Sequence, residues 1–164
     1  MILLQQCCNY MATPNQTSAP SSSVSASEHA SSPLLAARAV DAMADKKATD
    51  ITVLDLREVT GMADFFVIGT GHSDLQIRAI ANGVMDALEE DHDEQPWKRE
   101  GLDSLRWVLL DYVDVVIHVF APDRREHYDI ERLWGEADRE TVPASGDASD
   151  VALLQRLLND SPDS

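Results

Sequence analysis

The chain has 164 residues and carries 29 Asp and Glu against 13 Lys and Arg, a formal net charge of −16. Lys and Arg dominate contacts to phosphate backbones and supply the counterion-release part of nucleic-acid affinity, so this balance argues against a direct grip on bare DNA or RNA and fits a basic protein as partner. Hydrophobic residues make up 44%, enough for a real core, and no stretch approaches the ~18 apolar residues expected of a membrane span.

The sequence opens Met1-Ile2-Leu3-Leu4 and turns polar at once, without the basic start and apolar run of a secretory signal. A cytoplasmic protein is the expectation. Cys7 and Cys8 are adjacent and offer neither a disulfide framework nor a zinc-ligand spacing. Residues 11–33 are rich in Ser, Ala, Thr and Pro and show no apolar period. Such a segment buries too little surface to offset its ordering entropy, so residues 1–31 are expected to be disordered, with Met11 a candidate start codon.

Structured signals begin at Ser32-Pro33, a helix start with Ser as N-cap and Pro at the first helical position. Ala36, Ala39, Val40 and Met43 share one face, and Lys46 and Lys47 close the helix where its dipole favours cations. Ile51 to Leu56 reads as a strand, and Phe65 to Ile68 as a second that ends at Gly69-Thr70-Gly71. Ser73 and Gln76 form a capping box for a second helix with the apolar stripe Ile77, Ile80, Ala81, Val84 and Leu88. Pro96 to Arg99 is a short strand. Trp107 to Leu110 and Val115 to Phe120 are apolar at nearly every position, which predicts central strands covered on both faces. Asp111-Tyr112-Val113-Asp114 joins them. Pro122 to His127 and Asp129 to Trp134 finish as short helices or turns. Beyond Gly135 the chain loosens into an acidic tail, residues 136–164, with Val151, Leu154, Leu157 and Leu158 at the spacing of a short helix. The domain is therefore residues 32–135, a compact α/β unit with a mixed sheet of about five strands flanked by helices.

Chemistry is harder to find. Gly69-Thr70-Gly71-His72-Ser73 lies between strand and helix, where anions are attracted, yet it lacks the full dinucleotide fingerprint and the Lys of a phosphate loop. A plain turn is the stronger reading. His118 sits mid-strand without a partner at any metal-binding or acid–base spacing, and is expected to be held by a single hydrogen bond inside the sheet. Asp111 and Asp114 flank a turn, where Asp bonds its own backbone. Trp107, Tyr112, Tyr128 and Trp134 are interleaved with Asp111, Asp114, Asp129 and Glu131, a composition suited to a protein–protein patch, although Trp107 and Trp134 also suit a core. No catalytic constellation, cofactor site or metal site is expected. The enzyme alternative is a nucleotide-binding or nucleotidyltransferase-like domain using the Gly69–Gly71 turn with Asp111 and Asp114.

These residues also carry a family likeness. The run from Trp107 through Asp111, Tyr112, Val113, Asp114 and His118 to Phe120, followed by Arg125, Tyr128, Glu131, Arg132, Leu133 and Trp134, resembles the Iojap family, the ribosomal silencing factors. Upstream, Asp50 to Asp55, Ala63 to Ile68 and Glu100-Gly101 fall in that family's order. The likeness covers residues 34–135, which still carry a net −10. It implies a fold similar to the nucleotidyltransferase superfamily without its catalytic carboxylates. It also implies binding to ribosomal protein L-fourteen on the large ribosomal subunit, a steric block to subunit joining that represses translation under nutrient limitation, and self-association as a homodimer. By position, Trp107, Asp111, Tyr112, Asp114, Tyr128, Glu131 and Trp134 match the family's motif and are the expected partner-binding residues, with Asp111, Asp114 and Glu131 expected to meet Lys or Arg across the interface. Val113 departs from the pattern, since many relatives place Gly there. A β-branched residue is costly at positive φ, so the turn is expected to differ in shape.

Overall fold

The computed structural model describes residues 30–160. The expected disorder of residues 1–31, the Met11 start and the Cys7-Cys8 pair therefore lie outside the described residues, apart from Ala30 and Ser31 at the entrance to the first helix.

Helix α1 spans Ser32–Asp45. Its N-cap is Ser31 rather than Ser32, and Pro33 sits inside the first turn, where a missing N–H costs nothing. Ser32 is one residue into the helix and uses its hydroxyl elsewhere, donating to Asp64 Oδ2 at 2.6 Å. Strands β1 (Thr49–Asp55) and β2 (Phe65–Thr70) follow, then helix α2 (Asp74–His92). Three strands come next, β3 (Lys98–Glu100), β4 (Trp107–Asp111) and β5 (Val115–Phe120). Two short helices, α3 (Pro122–Tyr128) and α4 (Ile130–Leu133), complete the expected elements.

The Ser73 cap forms as expected, its Oγ accepting from Gln76 N at 3.1 Å. The reciprocal half of the box is altered. Gln76 Oε1 accepts from His72 N at 2.8 Å, while its Nε2 donates to Lys47 O at 2.8 Å. One side chain thus closes the start of α2 and satisfies a carbonyl left over at the end of α1.

The segment after Gly135, expected to be a loose tail, is part of the fold. Asp138–Thr141 forms β6, which pairs antiparallel with β1. The chain then makes a single 3₁₀ turn, Ala148–Asp150, and helix α5, Ala152–Asn159. Val142, Ala148, Val151, Leu153 and Leu154 are buried with α1. Carboxylates fasten the segment: Asp41 Oδ1 accepts from Ala148 N at 2.8 Å, and Glu140 accepts from Ala152 N at 2.9 Å and Leu153 N at 2.8 Å, capping α5. The sheet therefore has six strands, in the order β3-β4-β5-β2-β1-β6. Only β2 and β5 run parallel; the remaining neighbours are antiparallel.

Alternation along the central strands divides the core between two faces. Val53, Phe65, Val67, Val108, Leu110, Val115, Ile117 and Val119 point to the side covered by α1 and α2. Leu54, Phe66, Ile68, Trp107, Leu109, Val116 and Phe120 point to the other, which is closed by Ile130 with Tyr128, Trp134 and Met62 at its margin. The expectation of strands covered on both faces is met, but unequally: one face lies under long helices, the other under two short ones. Gly101 marks a tight approach beneath the edge of β4. Its φ is +79°, and an added Cβ would fall 1.8 Å from Trp107 O, so no side chain fits there.

Candidate functional site

The second, thinly covered face is built around aromatic rings. Trp107 stacks on Phe120 at 4.8 Å between centroids and leans on Tyr128 at the same distance. Trp134 meets Phe66 edge-on at 6.0 Å. Trp107 Nε1–H donates to His118 Nδ1 at 3.1 Å. An indole nitrogen can only donate, so the proton of the neutral imidazole is on Nε2, which is buried without a hydrogen-bond partner. Burial pushes the His118 pKa down to about 3, and the ring is neutral at any physiological pH. One hydrogen bond inside the sheet was the expectation for His118, and the structure has it. With its ring locked among Trp107, Phe66 and Phe120, His118 is a packing residue.

The seven expected partner-binding residues do not form one surface. Trp107 is buried and Tyr112 is only 6% exposed, on the opposite, helix-covered face. Burial raises the Tyr112 pKa, and its hydroxyl has no hydrogen-bond partner. Asp111 is also buried, and its Oδ1 accepts from Val113 N at 2.8 Å, holding the β4–β5 turn. Glu131 pairs within the chain: its Oε1 accepts from Arg125 Nη2 at 2.5 Å and from Arg125 Nε at 2.9 Å. Asp111 and Glu131, expected as interface charges, are engaged within the chain. Each is worth more satisfied at home than left for a partner, since an abandoned buried carboxylate is costly. Asp114 is exposed at the turn, and Tyr128 and Trp134 are half-buried. These three are the members of the set with surface to offer.

Two residues with more exposure escaped sequence analysis. Leu133, on α4 beside Trp134, is 67% exposed, and Val113 is 53% exposed at the tip of the turn. Their types gave no signal, because Leu and Val are read as core until a fold says otherwise. Arg125 was also missed in its structural role. Besides Glu131, its guanidinium reaches Thr70 Oγ1 at 2.8 Å, Asp50 O at 2.5 Å and Thr52 Oγ1 at 3.2 Å, tying α3 to the ends of β1 and β2. Val113 has a φ of +72°. The turn therefore keeps the left-handed conformation that suits Gly, despite the β-branched residue, and the expected change of shape does not extend to this dihedral.

The residues of the enzyme alternative are not brought together. Gly69 lies within β2 and pairs with Val119 near the end of β5, whereas Asp114 precedes β5 and Asp111 ends β4 opposite Val116. The glycines and the Asp pair stand at opposite ends of β5, on the order of 13 Å apart at the rise of a strand. Gly71 has a packing reason for being Gly: an added Cβ would meet Ile77 Cγ1 at 2.7 Å. Among the described residues no group of three His, Cys, Asp or Glu side chains is arranged to hold a metal ion. No helix among them is long and apolar enough to cross a membrane.

Comparison with known proteins agrees with this architecture. Residues 29–158 match the family described as ribosomal silencing factor during starvation. The chain is 47% identical over 103 residues to a Bacillus subtilis (strain 168) protein named ribosomal silencing factor RsfS, covering 63% of this chain and 84% of that protein. It is 34% identical over 124 residues to the chloroplastic protein Iojap of Zea mays, covering 76% of this chain and 54% of that one. A crystal structure of a Chromobacterium violaceum protein superposes with a TM-score of 0.60 at 39% identity, covering 62% of this chain and 84% of that one.

Proposed function

The chain belongs to the family of ribosomal silencing factors, and from that premise we propose that it binds the large ribosomal subunit through ribosomal protein L-fourteen and blocks joining of the small subunit by occupying the contact face. Regulation of translation follows from the family; the partner and the steric mode are our reading. Repression under nutrient limitation, in the cytoplasm, is part of it.

The observation that carries the reading is the surface around the β4–β5 turn and α4. Leu133 presents an apolar side chain to water next to the half-buried Trp134, Tyr128 adds a second half-buried ring over Trp107, and the β4–β5 turn exposes Val113 and Asp114. Aromatic and aliphatic anchors with a charged rim suit a protein partner. The chain's −16 charge favours a basic one. A steric block needs only a stable contact on a rigid base, and the face rests on the interlocked rings of Trp107, Phe120 and Tyr128.

The test is sedimentation of separated subunits with the full chain, followed by magnesium to drive joining. Co-migration with the large subunit and fewer joined ribosomes are expected, with both effects weakened by Leu133→Glu and by Asp114→Lys. Absence of co-migration at every salt concentration would overturn the reading.

A further inference from the structure

We propose that the corner where β3 meets the C-terminal end of α2 is a docking site for an arginine side chain of a basic protein partner. Trp97, one residue before β3, is 68% exposed. An indole this open is unusual, because Trp normally buries most of its large surface. It is not on a loose loop: Trp97 N donates to Asp111 O at 2.8 Å, extending the β3–β4 ladder by one bond. β3 is the outermost strand, so no further strand covers its free side.

Two other features converge on the same corner. The end of α2 and the residues after it carry Asp86, Glu89, Glu90, Asp91, Asp93 and Glu94, six carboxylates within nine residues. They gather at the helix terminus whose dipole favours cations, so a positive group arriving there is rewarded twice. Arg38 pairs with Asp91, and Gln95 Nε2 donates to Glu89 Oε1 at 2.8 Å. The second feature is the Tyr112 hydroxyl, buried without a partner; Glu89, Arg99 and Glu94 are the charged groups nearest enough to bear on it. Arg99 pairs with Leu110, which faces α2, so strand alternation puts Trp97 and Arg99 on the side of Tyr112 and the acidic helix end.

Indole face, carboxylates and an unsatisfied hydroxyl form a set that one guanidinium can use at once. Its plane stacks on the ring while its N–H groups reach the oxygens. A lysine ammonium has no plane to stack on the ring and gains less from the same set. Phosphate is repelled by the carboxylates, which excludes nucleic acid as the occupant. The site lies on the other side of the sheet from Leu133 and Trp134 but adjoins the β4–β5 turn, so Trp97→Ala and Leu133→Glu together tell it from the proposed ribosome contact.

The experiment follows the Trp97 indole N–H signal of the ¹⁵N-labelled full chain by NMR during titration with nona-arginine, nona-lysine or nona-glutamate. Saturable movement of that signal with nona-arginine is expected, with clearly weaker binding of nona-lysine and none of nona-glutamate. Trp97→Ala should weaken nona-arginine binding about tenfold, the scale of a desolvated cation–π contact. Tyr112→Phe should weaken it severalfold without lowering the urea midpoint. Co-sedimentation with the large subunit, where it occurs, should be unchanged by Trp97→Ala. Equal affinity for the two cationic peptides, with no effect of Trp97→Ala, would reduce the site to diffuse attraction and overturn the proposal. An unmoved Trp97 signal would overturn it as well.

Discussion

The indole N–H of Trp107 donates to Nδ1 of His118 at 3.1 Å, on a diagonal between β4 and β5 in the middle of the aromatic face. The bond turns two residues with apparent functional character into one structural unit. Trp107→Phe keeps much of the ring but leaves His118 Nδ1 unsatisfied beside a small void. A destabilisation of about 2–4 kcal/mol is expected from the lost bond and the cavity together. Urea unfolding measures it, and large-subunit binding by the folded fraction should be unchanged. Loss of binding at full stability would return Trp107 to the contact surface.

His118 also makes stability depend on pH. Its pKa is about 3 in the fold, lowered by burial, against about 6.5 in the unfolded chain. The unfolded state therefore binds a proton that the native state refuses between these values. Stability is fully present above pH 6.5 and is lost as pH falls towards 3, by about 1.4 kcal/mol per unit at the steepest. His118→Asn retains an acceptor for Trp107 but cannot titrate. The wild-type slope minus that of the variant should amount to one proton over this range, read from urea midpoints at several pH values. Parallel slopes would mean that His118 is already charged in the fold, or exposed.

Much of the fold was legible because apolar runs and capping are local. Trp107 to Leu110 and Val115 to Phe120 are apolar at nearly every position, the continuous run that a strand covered on both faces shows. Of the C-terminal segment only the short helix was legible, from the spacing of Val151, Leu154, Leu157 and Leu158; the rest was not, because its anchoring is not local. Val142, Ala148 and Val151 are single apolar residues separated by Pro143, Gly146 and acidic positions, and what docks them is the shape of α1 and the carboxylates of Asp41 and Glu140. The candidate site failed in the same way. Arg125 and Glu131 are six apart, a spacing that no regular element brings together; the break at Asp129, with its φ of +41°, folds α4 back so that they meet. Charge and aromaticity could nominate Asp111 and Glu131, but only the fold shows their oxygens already engaged.

Arg125 gives the third prediction. Its side chain and that of Glu131 are 14% and 13% exposed, so the pair is sheltered from solvent. Arg125→Ala strands the Glu131 carboxylate together with the Thr52 and Thr70 hydroxyls, and should cost about 3 kcal/mol. The double variant Arg125→Met with Glu131→Leu removes both charges and should recover much of that loss. A single-variant cost under about 1 kcal/mol, within the range of exposed ion pairs, would show that the guanidinium does not hold α3 to the sheet. Equal losses in the single and double variants would locate its value in the threonine and Asp50 carbonyl contacts instead.

Val113 separates stability from binding at one position. Its φ of +72° places a β-branched residue in the left-handed region, which costs roughly 1–2 kcal/mol. Glycine relieves that strain but gives the unfolded chain more freedom, worth about 0.5–1 kcal/mol in the other direction. With the side chain 53% exposed, little buried surface is forfeited, so Val113→Gly should leave the protein equally stable or more stable by about 1 kcal/mol. The same side chain is part of the surface proposed to meet the large subunit. If it is an anchor there, Val113→Gly will bind more weakly while melting at the same temperature or higher. A variant that is stabler and binds equally well would instead remove the β4–β5 tip from the contact and leave α4, with Leu133 and Trp134, to carry it.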